Sequence, residues 1–280
     1  MFTILKTFQR LPTKARMKRR TFASLSVASI SACLLPSIAV SQVIDINDAI
    51  NKAGRQRMLS QRAAKSYMAM GQKIQGDHAD KILTASMALF DRQLAELKAF
   101  APTPEIKTTY ATHETLWSDY KVALVGSAAA KAGAEPVLTL AGKVLQTANQ
   151  ATVQLEAFSG KATSKLVNIS GRQRMLSQRM AAFYLSASWG VQAPVSATEL
   201  AKAKDEFIKA HDLLKNAPES TPAIKTELQL AETQFTFFEQ ALRDLKPGAG
   251  DATAQTNVFT TSERILQVMD GVTGMYSKLG

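Results

Sequence analysis

Two identical stretches of nine residues carry the side chains best suited to chemistry in this sequence. Residues 54–62 and residues 171–179 both read Gly-Arg-Gln-Arg-Met-Leu-Ser-Gln-Arg. A guanidinium group is planar, stays charged and donates its hydrogen bonds in a fork, so it matches planar oxyanions such as nitrate, nitrite or a carboxylate. The repeated segment therefore indicates a binding site for a small anion.

One arginine of each copy lies in the middle of a stripe of small and weakly polar residues. Positions three and four apart share one face of a helix, and small residues on such a face allow a second helix to approach closely. The candidate ligand-binding residues on this stripe are Gly54, Arg57 and Gln61 in the first copy and Gly171, Arg174 and Gln178 in the second.

Neither arginine has an acidic neighbour in the sequence, since residues 49–76 and 157–194 contain no Asp or Glu. An unpaired buried charge is costly. If the two segments pack side by side in parallel, Arg57 and Arg174 face each other, and an anion between them relieves their repulsion. The alternative is that the motif arginines are solvated surface residues, as Arg55 and Arg62 on the flank of the stripe can be.

The chain after residue 41 is a tandem duplication, because twelve of the seventeen positions from 51 to 67 recur in the second copy. Ala, Leu, Lys, Gln and Glu dominate at helical spacing, Gly and Pro mark the breaks, and no alternating strand pattern competes. The prediction is an all-α protein of two tandem four-helix up-down bundles that follow an N-terminal signal segment. Residues 1–41 are the predicted signal peptide, 42–159 the first four-helix domain and 160–280 the second.

The predicted helices follow from these breaks. In the first domain they lie near residues 45–75, 78–100, 104–131 and 135–158, with Gly133 to Pro136 separating the last two. In the second domain they lie near residues 162–189, 196–216, 221–245 and 252–278.

Composition and charge exclude several classes of function. One Cys and three His among 280 residues argue against a disulfide framework and against a metal site, and no motif indicates a cofactor. The net charge of +11 is concentrated in residues 1–41, which hold seven basic residues and no acidic one, so the rest of the chain is only +4 and does not indicate a nucleic-acid partner. We predict no enzymatic activity, since His113 beside Glu114 is better explained as a solvated pair.

The first 41 residues have the order of an export signal. Basic residues 18–20 precede an apolar run from Phe22 to Val40, and small residues lead to a cleavage point before Gln42. Arg19 and Arg20 resemble a twin-arginine signal, which predicts a periplasmic protein, and Met17 is a possible true start. Two alternatives would anchor the protein in the membrane: a lipid on Cys33, or an uncleaved helix over residues 22–40.

The repeated motif, with Asn51 or Asn168 three residues before its first glycine, resembles the opening helix of a known sensor domain. This is the N-terminal domain of type IV pilus methyl-accepting chemotaxis transducers, the PilJ type, and the motif is also similar to the periplasmic P-box of nitrate/nitrite sensor kinases. In those kinases the domain is a four-helix bundle that dimerises through its first helices and holds one nitrate between symmetry-related arginines. The resemblance implies that Arg57 and Arg174 are these arginines, in a pseudo-dimer formed by one chain. The alternative is that the first helices meet their counterparts in a second molecule.

This sequence departs from that family in two ways. The motif is closer to the pilus-transducer version than to the kinase version, and the membrane helices and signalling modules that flank such domains are missing from this sequence. We therefore expect a non-enzymatic periplasmic sensor or binding protein for a small anion, most simply nitrate or nitrite, that signals through a partner such as a membrane-bound receptor or kinase. The alternative is a helical adaptor that docks on a chemoreceptor or a pilus component without a small ligand.

Overall fold

A computed structural model describes residues 42–279, and these residues form eight α-helices and no strand. The helices are α1 (Ile46–Gly71), α2 (Gly76–Phe100), α3 (Pro104–Val125), α4 (Lys131–Ser159), α5 (Ala162–Ser188), α6 (Ala193–Asn216), α7 (Pro222–Arg243) and α8 (Ala252–Ser277). The export signal, Met17 and Cys33 lie outside the described residues.

Polar caps fix where four of the helices begin. The side chains of Asp45, Thr103, Thr221 and Asp251 each accept a hydrogen bond from a backbone N–H two or three residues further on. These bonds satisfy donors that have no partner inside the helix. Proline follows each of the two threonines, where its missing N–H costs nothing.

The duplication extends to the turns that precede the second helix of each half. Gln75 and Gln192 occupy equivalent positions, and both adopt a left-handed backbone, with φ of 50° and 45°. Such a conformation is uncommon for a residue other than glycine. Its presence in both halves shows that the turn was kept along with the helices.

The prediction of a break at Gly133 to Pro136 is wrong. Helix α3 ends at Val125, and α4 begins at Lys131 and continues through Pro136. Proline costs a hydrogen bond inside a helix, but Ala134 and Val137 on either side of it are completely buried. Packing of this first turn and a half against the core therefore outweighs the lost bond.

Each half is a four-helix bundle, and the two bundles meet through their first helices. Helix α1 packs against α2 and α4, with α3 on α4; correspondingly, α5 packs against α6 and α8, with α7 on α8. The most extensive helix pair in the described chain is α1 with α5. The prediction of an all-α protein built from two tandem bundles is thus confirmed.

Aromatic residues fill the space between the helices within each bundle. In the first half Phe90 stacks on Trp117 with ring centroids 3.7 Å apart. In the second half Phe207 stacks on Phe235 at 4.4 Å and joins α6 to α7. Among residues 42–279, none of the helices combines the length and the hydrophobicity that crossing a bilayer requires.

Candidate anion site between the paired helices

Helices α1 and α5 run parallel and in register, as the duplicated motif requires. Near their N-termini, Ser164 Oγ donates to Asn47 Oδ1 at 2.6 Å. One turn before the arginines, the Cβ that an alanine at position 54 would carry lies only 3.9 Å from the Cα of Gly171. The two helices therefore touch at backbone distance at this pair of glycines, because neither residue has a side chain to separate them.

The two central arginines meet at this crossing, and each reaches across to the other helix. Arg57 Nη2 donates to the main-chain oxygen of Asn168, and Arg174 Nη2 donates to that of Asn51, both at 3.1 Å. The arginines are 1% and 0% exposed. The reciprocal bonds make the interface the equivalent of a twofold dimer contact within one chain.

The glycines allow the guanidinium groups to lie close together. The Cβ position of Gly54 is 3.2 Å from Arg57 Nη2 and 3.5 Å from Arg174 Nη2. The Cβ position of Gly171 is likewise 3.1 Å from Arg174 Nη2 and 3.6 Å from Arg57 Nη2. Four of the six candidate residues are thus brought together at one point of the interface.

The two glutamines of the candidate set serve another contact. Gln61 Nε2 donates to Ala141 O at 3.1 Å, and Gln178 Nε2 donates to Ser262 O at 2.9 Å. Each amide therefore ties the first helix of its bundle to the fourth helix of the same bundle. The stripe placed these residues on the correct face, but their donors point toward α4 and α8.

The fourth helices supply the groups that the sequence analysis missed. Arg57 Nη1 donates to Asn149 Oδ1 on α4 at 2.9 Å, and Arg174 Nη1 forms an ion pair with Asp270 on α8. The prediction that both arginines lack an acid is therefore wrong for Arg174. The carboxylate lies almost a hundred residues away along the chain, so inspection of the neighbouring sequence could not find it.

Asn149 and Asp270 are equivalent residues of the two halves. Their register follows from the glutamine contacts, which match Ala141 with Ser262, and Asn149 and Asp270 each come eight residues later. Thr152 and Thr273, three residues further on, both bond to the carbonyl four residues before them at 2.7 Å. Alignment of the two fourth helices was the signal that could have identified this pair.

The electrostatics of the arginine pair reflect its burial. Burial, with repulsion from Arg172 and Arg174, lowers the pKa of Arg57 to about 9. Burial and the charge of Arg55 lower the pKa of Arg174 to about 10, although Asp270 opposes the change. Burial alone would raise the pKa of Asp270, but its contacts with Arg174 and Arg55 outweigh this and the pKa is lowered. Both arginines and the carboxylate are therefore charged at neutral pH.

Each guanidinium retains a free donor. The Nε atoms of Arg57 and Arg174 are buried and find no hydrogen-bond partner among residues 42–279. A buried charged donor without a partner is unusual in a folded protein and calls for a specific explanation. A small anion that accepts hydrogen bonds from both side chains would satisfy these donors.

The flanking arginines of the motif join α1 to the other bundle. Arg55 Nη2 lies 2.8 Å from Asp270 Oδ1, and Arg62 forms an ion pair with Glu263, also on α8. The two arginine side chains are only 20% and 21% exposed. The alternative that they are simply solvated is therefore wrong.

Lys65 extends this contact into the protein interior. Its side chain is completely buried, its Nζ donates to Ser262 Oγ at 3.1 Å, and it pairs with Glu263. In the other half the corresponding positions hold Ala182 and Gly142. The α1–α8 side of the interface is thus joined by ion pairs that the α4–α5 side lacks.

The histidine beside an acid does not form an acid–base pair. His113 is buried rather than solvated; its Nδ1 lies 2.7 Å from Thr147 Oγ1, and burial lowers its pKa to about 4. Glu114 is exposed and pairs with Lys98. The two side chains point in different directions, so the geometry offers no proton-transfer pair.

The described residues form a duplicated helical module whose halves associate through their first helices. The family model described as the type IV pili methyl-accepting chemotaxis transducer N-terminal domain matches the chain twice, over residues 39–151 and 157–270. The chain belongs to this family, which is sensory rather than catalytic, and the predicted resemblance to a tandem pair of PilJ-type domains is confirmed. No curated protein and no solved structure matches the chain in the comparisons made.

Proposed function

We propose that this protein is a non-enzymatic periplasmic sensor that binds a small oxyanion between Arg57 and Arg174 and passes the signal to a membrane-bound receptor. Nitrate and nitrite are the ligands that the planar, forked donors fit best. The periplasmic location is supported by the export pattern of residues 1–41 and by the extracytoplasmic location typical of this family's domains.

The observation that carries the proposal is the pair of buried guanidiniums at the α1–α5 crossing with unpartnered Nε donors. Four further features support the proposal. The glycines bring the two arginines together, and the helices run parallel and in register. Among the described residues Arg57 has no carboxylate partner, and the half-buried amide of Asn149 lies beside it.

Thermal unfolding of the purified full-length chain in the presence of nitrate, nitrite, acetate or chloride at constant ionic strength tests the proposal. A ligand at about ten times its dissociation constant adds about 1.4 kcal/mol of stability. We expect this shift with nitrate or nitrite, and its loss in Arg57→Gln and in Arg174→Gln. Arg243→Gln removes a largely exposed arginine of α7 and serves as the control that keeps the shift.

The second candidate is a helical adaptor that docks on a chemoreceptor or pilus component without a small ligand. The ion pair between Arg174 and Asp270 favours it, because one of the two arginines already has a counter-ion. Absence of a shift with every anion, in the unchanged protein as well as in both variants, would reject the sensor and support the adaptor.

A further inference from the structure

We propose that Asp270 acts as a built-in counter-ion that sets the charge of the ligand, so that the arginine pair accepts one singly charged oxyanion on the Arg57 side. This inference deepens the proposed anion-sensing function and rests on it. It assigns to Asp270 and to its equivalent Asn149 the discrimination between monovalent and divalent anions.

Arg57 and Arg174 make matching contacts that differ in the charge of one acceptor. Each arginine directs Nη2 to the other helix and Nη1 to the fourth helix of its own bundle. The acceptor on the fourth helix is the neutral amide of Asn149 for Arg57 and the carboxylate of Asp270 for Arg174. The two halves of the site therefore have the same geometry and a different charge.

The buried arginine pair carries an unequal charge balance. Of the two buried guanidiniums, Arg174 forms an ion pair with the Asp270 carboxylate, whereas the acceptors that Arg57 finds among the described residues are neutral. Within this pair of buried arginines one positive charge has no paired carboxylate among the described residues, so a singly charged anion would balance the pair, whereas a divalent anion would bring an excess negative charge. An excess charge of either sign is unfavourable in a buried site.

The anion would lie next to Arg57 rather than next to Arg174. Arg174 pairs through Nη1 with Asp270, whose carboxylate can only accept hydrogen bonds and repels a second anion next to it. In the part of the chain that the structure describes, Arg57 has no carboxylate within ion-pair distance, and its buried Nε has no hydrogen-bond partner. The Asn149 side chain is half-buried and carries two amide N–H donors, so it can turn to hold an anion next to Arg57.

The position of Asp270 makes it suitable for substitution. Its side chain is 43% exposed, and it lines a surface groove of about 600 Å³ that also contains Arg55, Arg62, Arg92 and Arg264. Replacement by asparagine keeps the shape and reproduces the contact that Arg57 makes with Asn149. The reciprocal variant Asn149→Asp reproduces the contact of Arg174. Each half of the molecule therefore provides the template for the variant of the other.

Isothermal titration calorimetry with nitrate and with sulfate, on the full-length chain at fixed pH and constant ionic strength, tests the inference. In the unchanged protein we expect nitrate to bind more tightly than sulfate. In Asp270→Asn the ratio of sulfate to nitrate affinity should rise by about tenfold or more, and in Asn149→Asp nitrate binding should weaken by at least about tenfold. Asp119→Asn, which removes the same charge from an exposed position on α3, should leave both affinities unchanged.

The outcomes separate this inference from the function on which it rests. Nitrate binding with an unaltered ratio in Asp270→Asn, or with full affinity in Asn149→Asp, would overturn the role of Asp270 and leave the sensor function standing. If the unchanged protein binds no anion but Asp270→Asn does, the sensor function is overturned and the counter-ion role is supported. Absence of binding in all variants, each shown to be folded by circular dichroism, overturns both.

Discussion

Asn149 and Asp270 occupy equivalent positions in the two bundles and accept a hydrogen bond from equivalent arginines, but only Asp270 is charged. The interface between the halves is therefore symmetric in its geometry and asymmetric in its electrostatics. This asymmetry predicts that the two arginines contribute differently to stability.

Replacement of the two arginines by methionine should have unequal costs. Arg174→Met breaks a partly buried ion pair and should lower the free energy of unfolding by about 2 kcal/mol. This cost is smaller than for a fully buried pair, because Asp270 is partly exposed and remains paired with Arg55. Arg57→Met removes a buried cation without a carboxylate partner, and the cost should stay below about 1 kcal/mol. Urea unfolding in anion-free buffer measures both values. Equal costs for the two variants would contradict the asymmetric electrostatics.

Acid should weaken the contact between α1 and α8. Burial opposes ionisation of Glu263, but Lys65 and Arg62 lower its pKa to about 2 in the folded protein. Because the pKa of Glu263 is lower in the folded protein, this group stabilises the fold at pH values above its unfolded pKa of about 4.5. This stabilisation is lost as the pH falls from about 5 toward 2. Its size is at most about 3 kcal/mol.

The variant Glu263→Gln checks the origin of this pH dependence. It leaves the buried Lys65 without a counter-ion, so the protein should be destabilised by about 3 kcal/mol at pH 7 and should lose much of the slope between pH 5 and pH 2. Glu232→Gln, at an exposed ion pair with Lys215, is the control and should change stability little. Urea unfolding over the pH range decides, and an unchanged slope in Glu263→Gln would assign the acid sensitivity to other carboxylates.

Alanine at position 54 should crowd the arginine pair. In an open helical position, glycine to alanine stabilises a protein by up to about 1 kcal/mol. Gly274 on α8 is such a position, because nothing lies within 4 Å of its Cβ point, whereas at Gly54 the new atom would meet Arg57 Nη2 at 3.2 Å. We expect Gly274→Ala to raise the melting temperature. Gly54→Ala should raise the melting temperature less and should reduce any stabilisation by nitrate. Equal gains would mean that the guanidiniums move aside without loss.

A second close approach tests the pairing of α1 and α5 independently of any ligand. The Cβ point of Gly71 lies 2.2 Å from Trp189 Cη2, where the end of α1 meets the end of α5. Gly71→Ala should therefore destabilise the protein by about 1–3 kcal/mol through overpacking. The open position Gly76 provides the control variant Gly76→Ala.

The smaller side chain in Trp189→Leu should remove this clash. A double-mutant cycle with Gly71→Ala then measures the coupling between the two positions. We expect the alanine to cost less in the Trp189→Leu background than in the unchanged protein. Additive effects would show that the two helix ends are not in contact in solution.

The sequence contained enough information for the fold, but it predicted the meeting of the two arginines only on the condition that the first helices pack side by side within one chain. The exact repeat identified the pair of helices, and the small residues at positions 54 and 171 identified the face on which they pack. Pro136 misled the prediction of α4 because burial of Ala134 and Val137, a tertiary effect, outweighs a local preference. Asp270 was missed for a similar reason: a contact between residues far apart in the chain leaves no trace in the local pattern of charges.

Covalent fusion of the two halves has an evolutionary consequence. In a homodimer a substitution always appears on both sides of the axis, so a carboxylate like that of Asp270 would pair with both arginines. A gene that encodes both halves in tandem can alter one side alone. It also assembles the complete interface at any dilution, because association no longer depends on the concentration of a second molecule.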